Sequence, residues 1–413
     1  MTQSKAVRQM ADRYPRPNWV RRVNAMAVAV GGARRLVPLD ADELYAQALS
    51  AVGGEPKGDL ADPAWKSRFE QLVHALDLSS MHVVGRLLTR EEVLRSLRTR
   101  LLLHRAWDED PEIAQEKIRE PLIVTGPARS GTTILFELLA LDPKLRAPLA
   151  WEALHPIPLG DEPDQRAQAG ECEQDLWADV QPEFAAIHEL RTDLPVECVT
   201  LTTACFCGPH WPMVAQMESY PDDPAQMYDF HRRMLQTLQR GEDAKTWLLK
   251  TPGHLLTLDL LFETYPDAWI IQTHRDPAKT FPSTISTTAM VQWIRTNEID
   301  LPLLATAIQG AFGFALNNVA DRRKVGSVPN RFVDVHFRRL MDDPVDTIRR
   351  AYSGMGRSFD PEHADRILAY LANKPKGKFG VHHYSPEDWG LTATGLRKAL
   401  APYIDFFGVQ LES

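Results

Sequence analysis

The stretch Pro121-Leu-Ile-Val-Thr-Gly126-Pro-Ala-Arg-Ser-Gly131-Thr-Thr constrains this chain more than any other. A short apolar, β-rich run, Leu122–Thr125, ends at one glycine. A loop leads to a second glycine, and Thr132 to Leu141 then reads as a helix. Glycine permits the tight turn, and the start of the helix directs its unpaired backbone N–H groups at one point in front of the strand. Such a point attracts an anion. Arg129, Ser130, Thr132 and Thr133 add a guanidinium and three hydroxyl groups to it. The nucleotide-triphosphatase form of this loop carries Lys and then Ser or Thr after the second glycine, with the Lys on the β- and γ-phosphates. Here Thr132 stands at the Lys position, and the cation sits earlier, at Arg129.

Further apolar runs at Trp247–Leu249, Trp269–Ile271 (ending near His274) and Phe332–His336 read as strands. Helical patterns follow them at Leu255 to Phe262, after Pro282, and around 344–355 and 362–373. Short apolar strands alternating with helices predict an α/β chain: a P-loop-type three-layer fold with a central parallel sheet flanked by helices. Residues 1–118 read as a helical N-terminal region packed on that core, and 119–413 as the α/β domain. Within it, about 151–245 form a mainly helical insertion on the acceptor side. The insertion is rich in large side chains such as Trp177, Phe206, Trp211, Met213 and Tyr228, which could line a pocket or fill a core.

Composition narrows the partners. With 47 Lys+Arg against 55 Asp+Glu the formal charge is −8, which gives no general reason to expect nucleic acid or an anionic membrane. A polyanionic ligand would need a local basic cluster. No run of about 18 apolar residues is present, so no transmembrane segment is expected. Cys205, Cys207 and His210 lack a second Cys-x-x-Cys pair, so no metal site is expected either. Four cysteines without a disulfide framework fit reduced thiols and a cytoplasmic location.

The Ala128–Thr133 segment (ARSGTT) resembles the first signature of the sulfotransferases that use 3′-phosphoadenosine 5′-phosphosulfate (PAPS). It is most similar to the branch of tyrosylprotein sulfotransferases and many bacterial enzymes, where this cation is Arg. The resemblance implies that Arg129, Ser130, Gly131, Thr132 and Thr133 hold the 5′-phosphosulfate. It extends to Arg275, directly after strand 268–274, and Ser283, eight residues after that Arg as in the family, which implies binding of the 3′-phosphate. Pro282 predicts a kink in that helix, or a helix that starts at Thr280. Lys250-Thr251-Pro252 matches the family's Lys-x-Pro, whose Lys lies close to the transferring group. Lys376, Lys378 and Gly380 resemble the loop over the adenine and 3′-phosphate, although His383 stands where the fullest form has a basic residue.

The resemblance also implies a base. Glu152, which follows Arg129 by 23 residues, is the first candidate, His155 the second, and Glu197 a weaker one that could contact acceptor instead. The implied activity is sulfuryl transfer from PAPS, without a metal, to a hydroxyl or amine of a small-molecule, lipid or glycan acceptor. The alternatives are a P-loop kinase or nucleotide hydrolase, or an inactive nucleotide- or lipid-binding protein on the same fold.

Overall fold

Five short strands form one parallel sheet in the order β2-β3-β1-β4-β5. They are β1 (Leu122–Thr125), β2 (Leu145–Arg146), β3 (Thr246–Lys250), β4 (Trp269–His274) and β5 (Phe332–His336). The computed structural model describes residues 9–56, 62–158, 163–187, 189–215, 220–243, 245–374 and 384–412. β1 is wholly buried and β3 and β4 nearly so, because helices cover both faces. The expected α/β class and parallel sheet are therefore what the chain adopts. β2 was not legible as a strand: it has two residues, sits at the sheet edge and pairs only with β3.

The register brings the candidate residues together. Val124 lies beside Lys250 on one side and Ile271 on the other. In a parallel sheet all C-terminal ends share one edge, so the residues leaving β1, β3 and β4 emerge side by side. The chain runs from β1 outward to β2, returns to β3, and then crosses to β4 on the far side of β1. The connections that leave β1 and β3 thus run in opposite directions, and a crevice opens at the C-terminal ends of these two neighbouring strands.

The helix after β4 begins at Pro277, capped by Asp276, and continues through Pro282 to Trp293. A start at Thr280 is therefore not what forms: Asp276 Oδ1 accepts from Ala278 N at 3.0 Å, and Pro277 needs no N–H in the first turn. The leucine-rich segment after β3 is divided into a 3₁₀ turn, Pro252–Leu256, and a helix, Leu258–Thr264. The helices expected near 344–355 and 362–373 run over Pro344–Gly354 and Pro361–Asn373.

A long helix of the N-terminal region, Val83–Glu109, docks against the far end of the Pro277–Trp293 helix. His82 N donates to Arg295 O at 3.0 Å, and the buried Arg295 Nη2 donates to Glu92 Oε1 at 2.6 Å. Burial would raise the Glu92 carboxyl, but Arg295 and His210 outweigh it and hold the group down at about 2. Trp177 of the insertion donates to the same carboxylate at 3.1 Å, so one buried charge ties the three parts together. The insertion's aromatics mostly fill cores: Phe206 and Trp211 pack with Trp65 and Phe69. Among the described residues one helix, Leu301–Lys324, is long and apolar enough to cross a membrane by length and composition; a third of it is buried in the core.

Candidate active site

The loop after β1 is shaped by its backbone. Gly126 has φ +140°, and a Cβ there would lie 2.2 Å from Thr273 Oγ1 and 2.6 Å from Thr273 O. The loop can therefore lie flat against β4 only with glycine at this position. Gly126→Ala should cost about 2–3 kcal/mol of stability, measured by chemical denaturation, from strain plus overpacking. Arg129 adopts the left-handed region (φ +65°), and Gly131 caps the Thr132–Leu139 helix at φ +91° with no side-chain hydrogen bond to the first turn. The first-turn N–H groups thus remain available to an anion.

The loop side chains divide by role. Ser130 is fully buried, and its hydroxyl is bound to Pro127 O and Thr273 Oγ1, so it braces the loop. Arg129 is exposed and, among the described residues, has no carboxylate partner. Thr133 faces Lys250, whose Nζ donates to Thr133 Oγ1 at 3.2 Å.

Lys250 ends β3 and is 2% exposed. Its ammonium also pairs with Glu197 Oε1 at 2.7 Å, and Thr251 Oγ1 donates to Glu197 Oε2 at 3.4 Å. Glu197 is carried there because residues 194–196 run antiparallel to 148–150: Ala150 N donates to Leu194 O at 3.0 Å and Val196 N to Pro148 O at 2.9 Å. A carboxylate of the insertion is thereby brought to the loop helix and the buried lysine.

Glu152 and His155 lie elsewhere. Glu152 caps its own short helix, accepting from Leu149 N at 2.8 Å, and pairs with Arg146 at 2.9 Å, so both oxygens are engaged. His155 Nε2 is bonded to Glu173 Oε1 at 2.8 Å, and Glu173 also pairs with Arg95 at 2.7 Å. That histidine belongs to the contact between the insertion and the N-terminal region.

Arg275, leaving β4, joins the loop: its Nη1 donates to Arg129 O at 2.9 Å, and its guanidinium lies 3.8 Å from the Phe337 ring centroid. It is also held by a carboxylate that sequence reasoning missed. Glu412 accepts from Nε at 2.7 Å and from Nη2 at 2.9 Å, a bidentate fork. Glu412 is positioned by its own N–H, which donates to Asp276 Oδ2 at 2.8 Å. Nothing local in the sequence signals this pair, which spans 137 residues. Thr273 is the other residue missed, and its place just before the His-Arg that ends β4 was the available hint.

Ser283 lies in the second turn of its helix, since that helix starts at Pro277 and not at Thr280. It is fully buried, and its hydroxyl has no hydrogen-bond partner among the described residues; nor has Thr280 Oγ1, one turn earlier. An unpaired buried hydroxyl is unusual and marks a place where a ligand oxygen can be received. Lys376, Lys378 and Gly380 lie outside the described residues. Cys205 and Cys207 are buried thiols, and His210 points at Glu92 (3.5 Å), so these three do not converge as ligands. No group of three or more His, Cys, Asp or Glu side chains forms a metal cluster among the described residues.

A glycine loop, a buried lysine and an arginine meet on three adjacent strand ends, and the sequence profile described as "Sulfotransferase family" matches residues 121–361, more than half of the chain and all three strand ends. The chain belongs to the sulfotransferase family. Its relatives include the omega-hydroxy-beta-dihydromenaquinone-9 sulfotransferases Stf3 of Mycobacterium bovis and Mycobacterium tuberculosis. Each is 25% identical over 289 residues, covering 65% of this chain and 70% of the relative. The fold is similar to sulfotransferase STF9 from Mycobacterium avium, with TM-score 0.78 and 26% identity over 91% of this chain and 98% of that one. It is also similar to STF1 from Mycobacterium tuberculosis, with TM-score 0.73 and 25% identity over 87% and 98%. Within this sulfotransferase, Gly126–Thr133, Lys250, Arg275 and Ser283 all fall inside the profile match, whereas Glu412 lies beyond it.

Proposed function

We propose that this sulfotransferase moves a sulfuryl group from PAPS to a hydroxyl of a small-molecule or lipid acceptor, with Lys250 and Arg129 as the cations of the transfer. The observation that carries this reading is Lys250: one buried ammonium touches both the phosphate-loop helix at Thr133 and the insertion at Glu197. The residues present fit a donor with two separate anionic groups. Among the described residues no side chain caps the helix start, Arg129 is exposed, and the Ser283 hydroxyl has no hydrogen-bond partner. In this assignment Arg129, Gly131, Thr132 and Thr133 receive the 5′-phosphosulfate, with Ser130 bracing the loop, and Arg275 and Ser283 receive the 3′-phosphate. Lys376, Lys378 and Gly380 remain proposed contacts for the nucleotide.

The donor supplies an activated S–O bond. Lys250 and Arg129 stabilise the charge that gathers on the departing phosphate oxygen. Glu197 accepts the acceptor's proton as the acceptor oxygen bonds to sulfur and the old S–O bond breaks. Glu197 suits this step better than Glu152 or His155, because it is paired with Lys250 itself, whereas Glu152 is paired with Arg146 and His155 with Glu173. No resident metal is assigned. The relatives' names give a hydroxylated menaquinone lipid as their acceptor, which supports a lipid here. The N-terminal region and insertion belong to the same unit as the acceptor side. Four free thiols fit a cytoplasmic location.

Occupation of Arg275 by Glu412 has a measurable consequence. A 3′-phosphate must displace that carboxylate, so Glu412→Gln should bind adenosine 3′,5′-bisphosphate about three- to fivefold more tightly, ~1 kcal/mol for a partly exposed pair, by calorimetry. Unchanged affinity would place the 3′-phosphate elsewhere. The activity itself is tested by transfer of labelled sulfate from PAPS to a panel of hydroxylated lipids and phenols. Labelled product is expected. A complete absence of transfer, with bisphosphate binding intact, would indicate a binding protein.

A further inference from the structure

The overall charge of −8 hides a strong local asymmetry: from Arg13 to Leu39 the sequence has six arginines and no carboxylate. Three of these arginines are used internally. Arg13 and Arg16 lie over Trp389 and Trp293, at 4.4 and 3.8 Å from the ring centroids, and Arg34 pairs with Asp77 at 2.6 Å. Arg21, Arg22 and Arg35 stay on the surface, with no carboxylate partner among the described residues.

The same segment concentrates exposed apolar side chains. Of the sixteen large apolar residues that are exposed among those described, five fall between residues 19 and 36: Trp19, Met26, Val28, Val30 and Leu36. Val28 is 84% exposed and Met26 63%. This is not a frayed end. The inner face of the Asn18–Met26 helix is fixed, with Val20 in the main core and Val23 and Ala27 packed near Val83 and Val37. Asn24 Oδ1 accepts from Val84 N at 3.0 Å. Trp19, Arg22 and Met26, at three- and four-residue steps, therefore share an outer row that the fold holds in place. An outward face that is apolar and cationic at once, carried on an anchored short helix, matches a surface that is apolar below and uniformly anionic above.

We propose that the Trp19–Leu36 face is a docking surface for an anionic lipid bilayer. Arg21, Arg22 and Arg35 meet lipid phosphates, while Trp19, Met26 and Val28 enter the boundary between headgroups and acyl chains. These arginines are spread along the segment rather than gathered at one point, which suits a field of lipid phosphates better than one compact partner. Of the carboxylates beside Arg35, Asp77 is taken up by Arg34 and Arg86, and Asp40 caps its own helix. The proposal does not depend on the sulfuryl-transfer reading.

The test is co-sedimentation of the full chain with vesicles of equal parts phosphatidylglycerol and phosphatidylcholine, and with vesicles of phosphatidylcholine alone. At low salt at least ~10-fold more protein should pellet with the anionic vesicles, and the excess should fall sharply in high salt. Met26→Asp/Val28→Asp and Arg22→Glu/Arg35→Glu should each lower that binding about 10-fold with an unchanged thermal melt, since all four side chains are exposed. Equal binding to both vesicle types, or full binding by either variant, overturns the proposal. So does a concentration-dependent dimer in analytical ultracentrifugation that Val28→Asp abolishes, which would give the face to a second copy of the chain.

Discussion

Lys250→Met is expected to lower the rate of sulfuryl transfer by about 10²- to 10³-fold, the cost of removing one preorganised charge from a developing anion. The expectation rests on placement. Lys250 is 2% exposed at the end of β3 and points at the loop helix through Thr133, so its charge acts in a site largely shielded from water. Methionine keeps the length and the contact with the Phe136 ring, which lies 5.8 Å from Nζ, and removes only the charge. Affinity for adenosine 3′,5′-bisphosphate, which lacks the sulfuryl group, should change by only a few-fold, because Arg129 and Arg275 remain. A parallel collapse of binding and rate would mean that Lys250 serves binding rather than the transfer step. The loss of its partner is tolerable for Glu197, whose side chain keeps 22% exposure and can be solvated.

Glu197→Gln carries the second large effect, a fall in turnover of about 10²-fold or more with bisphosphate affinity preserved. Its informative companion is Glu152→Gln. That carboxylate accepts from Leu149 N and Arg146, so its replacement should cost about 1 kcal/mol of stability as a weakened cap while turnover stays within a few-fold. Measuring rate and denaturation midpoint for both variants separates the two roles. If Glu152→Gln loses the activity and Glu197→Gln keeps it, the insertion carboxylate is an acceptor contact and the base lies after β2, as spacing from Arg129 alone suggests.

The contrast shows how far sequence could lead. β1, its glycine loop and the following helix were readable because each choice is local: an apolar run, a glycine that must lie against Thr273, and a helix start. The order of Lys250 and Arg275 on later strand ends was readable for the same reason. The order of preference among the candidate carboxylates was less readable. Spacing along the chain favoured Glu152, but its position is set by a backbone N–H and Arg146 close by, whereas Glu197 reaches Lys250 only through antiparallel pairing of 194–196 with 148–150. Glu412 was invisible for a similar reason, since its pairing with Arg275 is purely tertiary. The −8 charge misled in a different way: a total says nothing about the arginine-only segment from Arg13 to Leu39 or about the cations at the sheet edge.

The central claim is that Arg129, with the loop helix and Arg275, forms a site for a nucleotide carrying phosphates at both the 3′ and 5′ positions. The most direct measurement is calorimetric titration of the wild-type chain with adenosine 3′,5′-bisphosphate in the presence of a chelator, repeated for Arg129→Ala and Arg275→Ala. Saturable, metal-independent binding is expected, weakened by ~1.5–3 kcal/mol in each variant, the scale of a hydrogen bond to a charged group. Absence of binding, or binding of ATP that requires magnesium and is indifferent to Arg275→Ala, would contradict it.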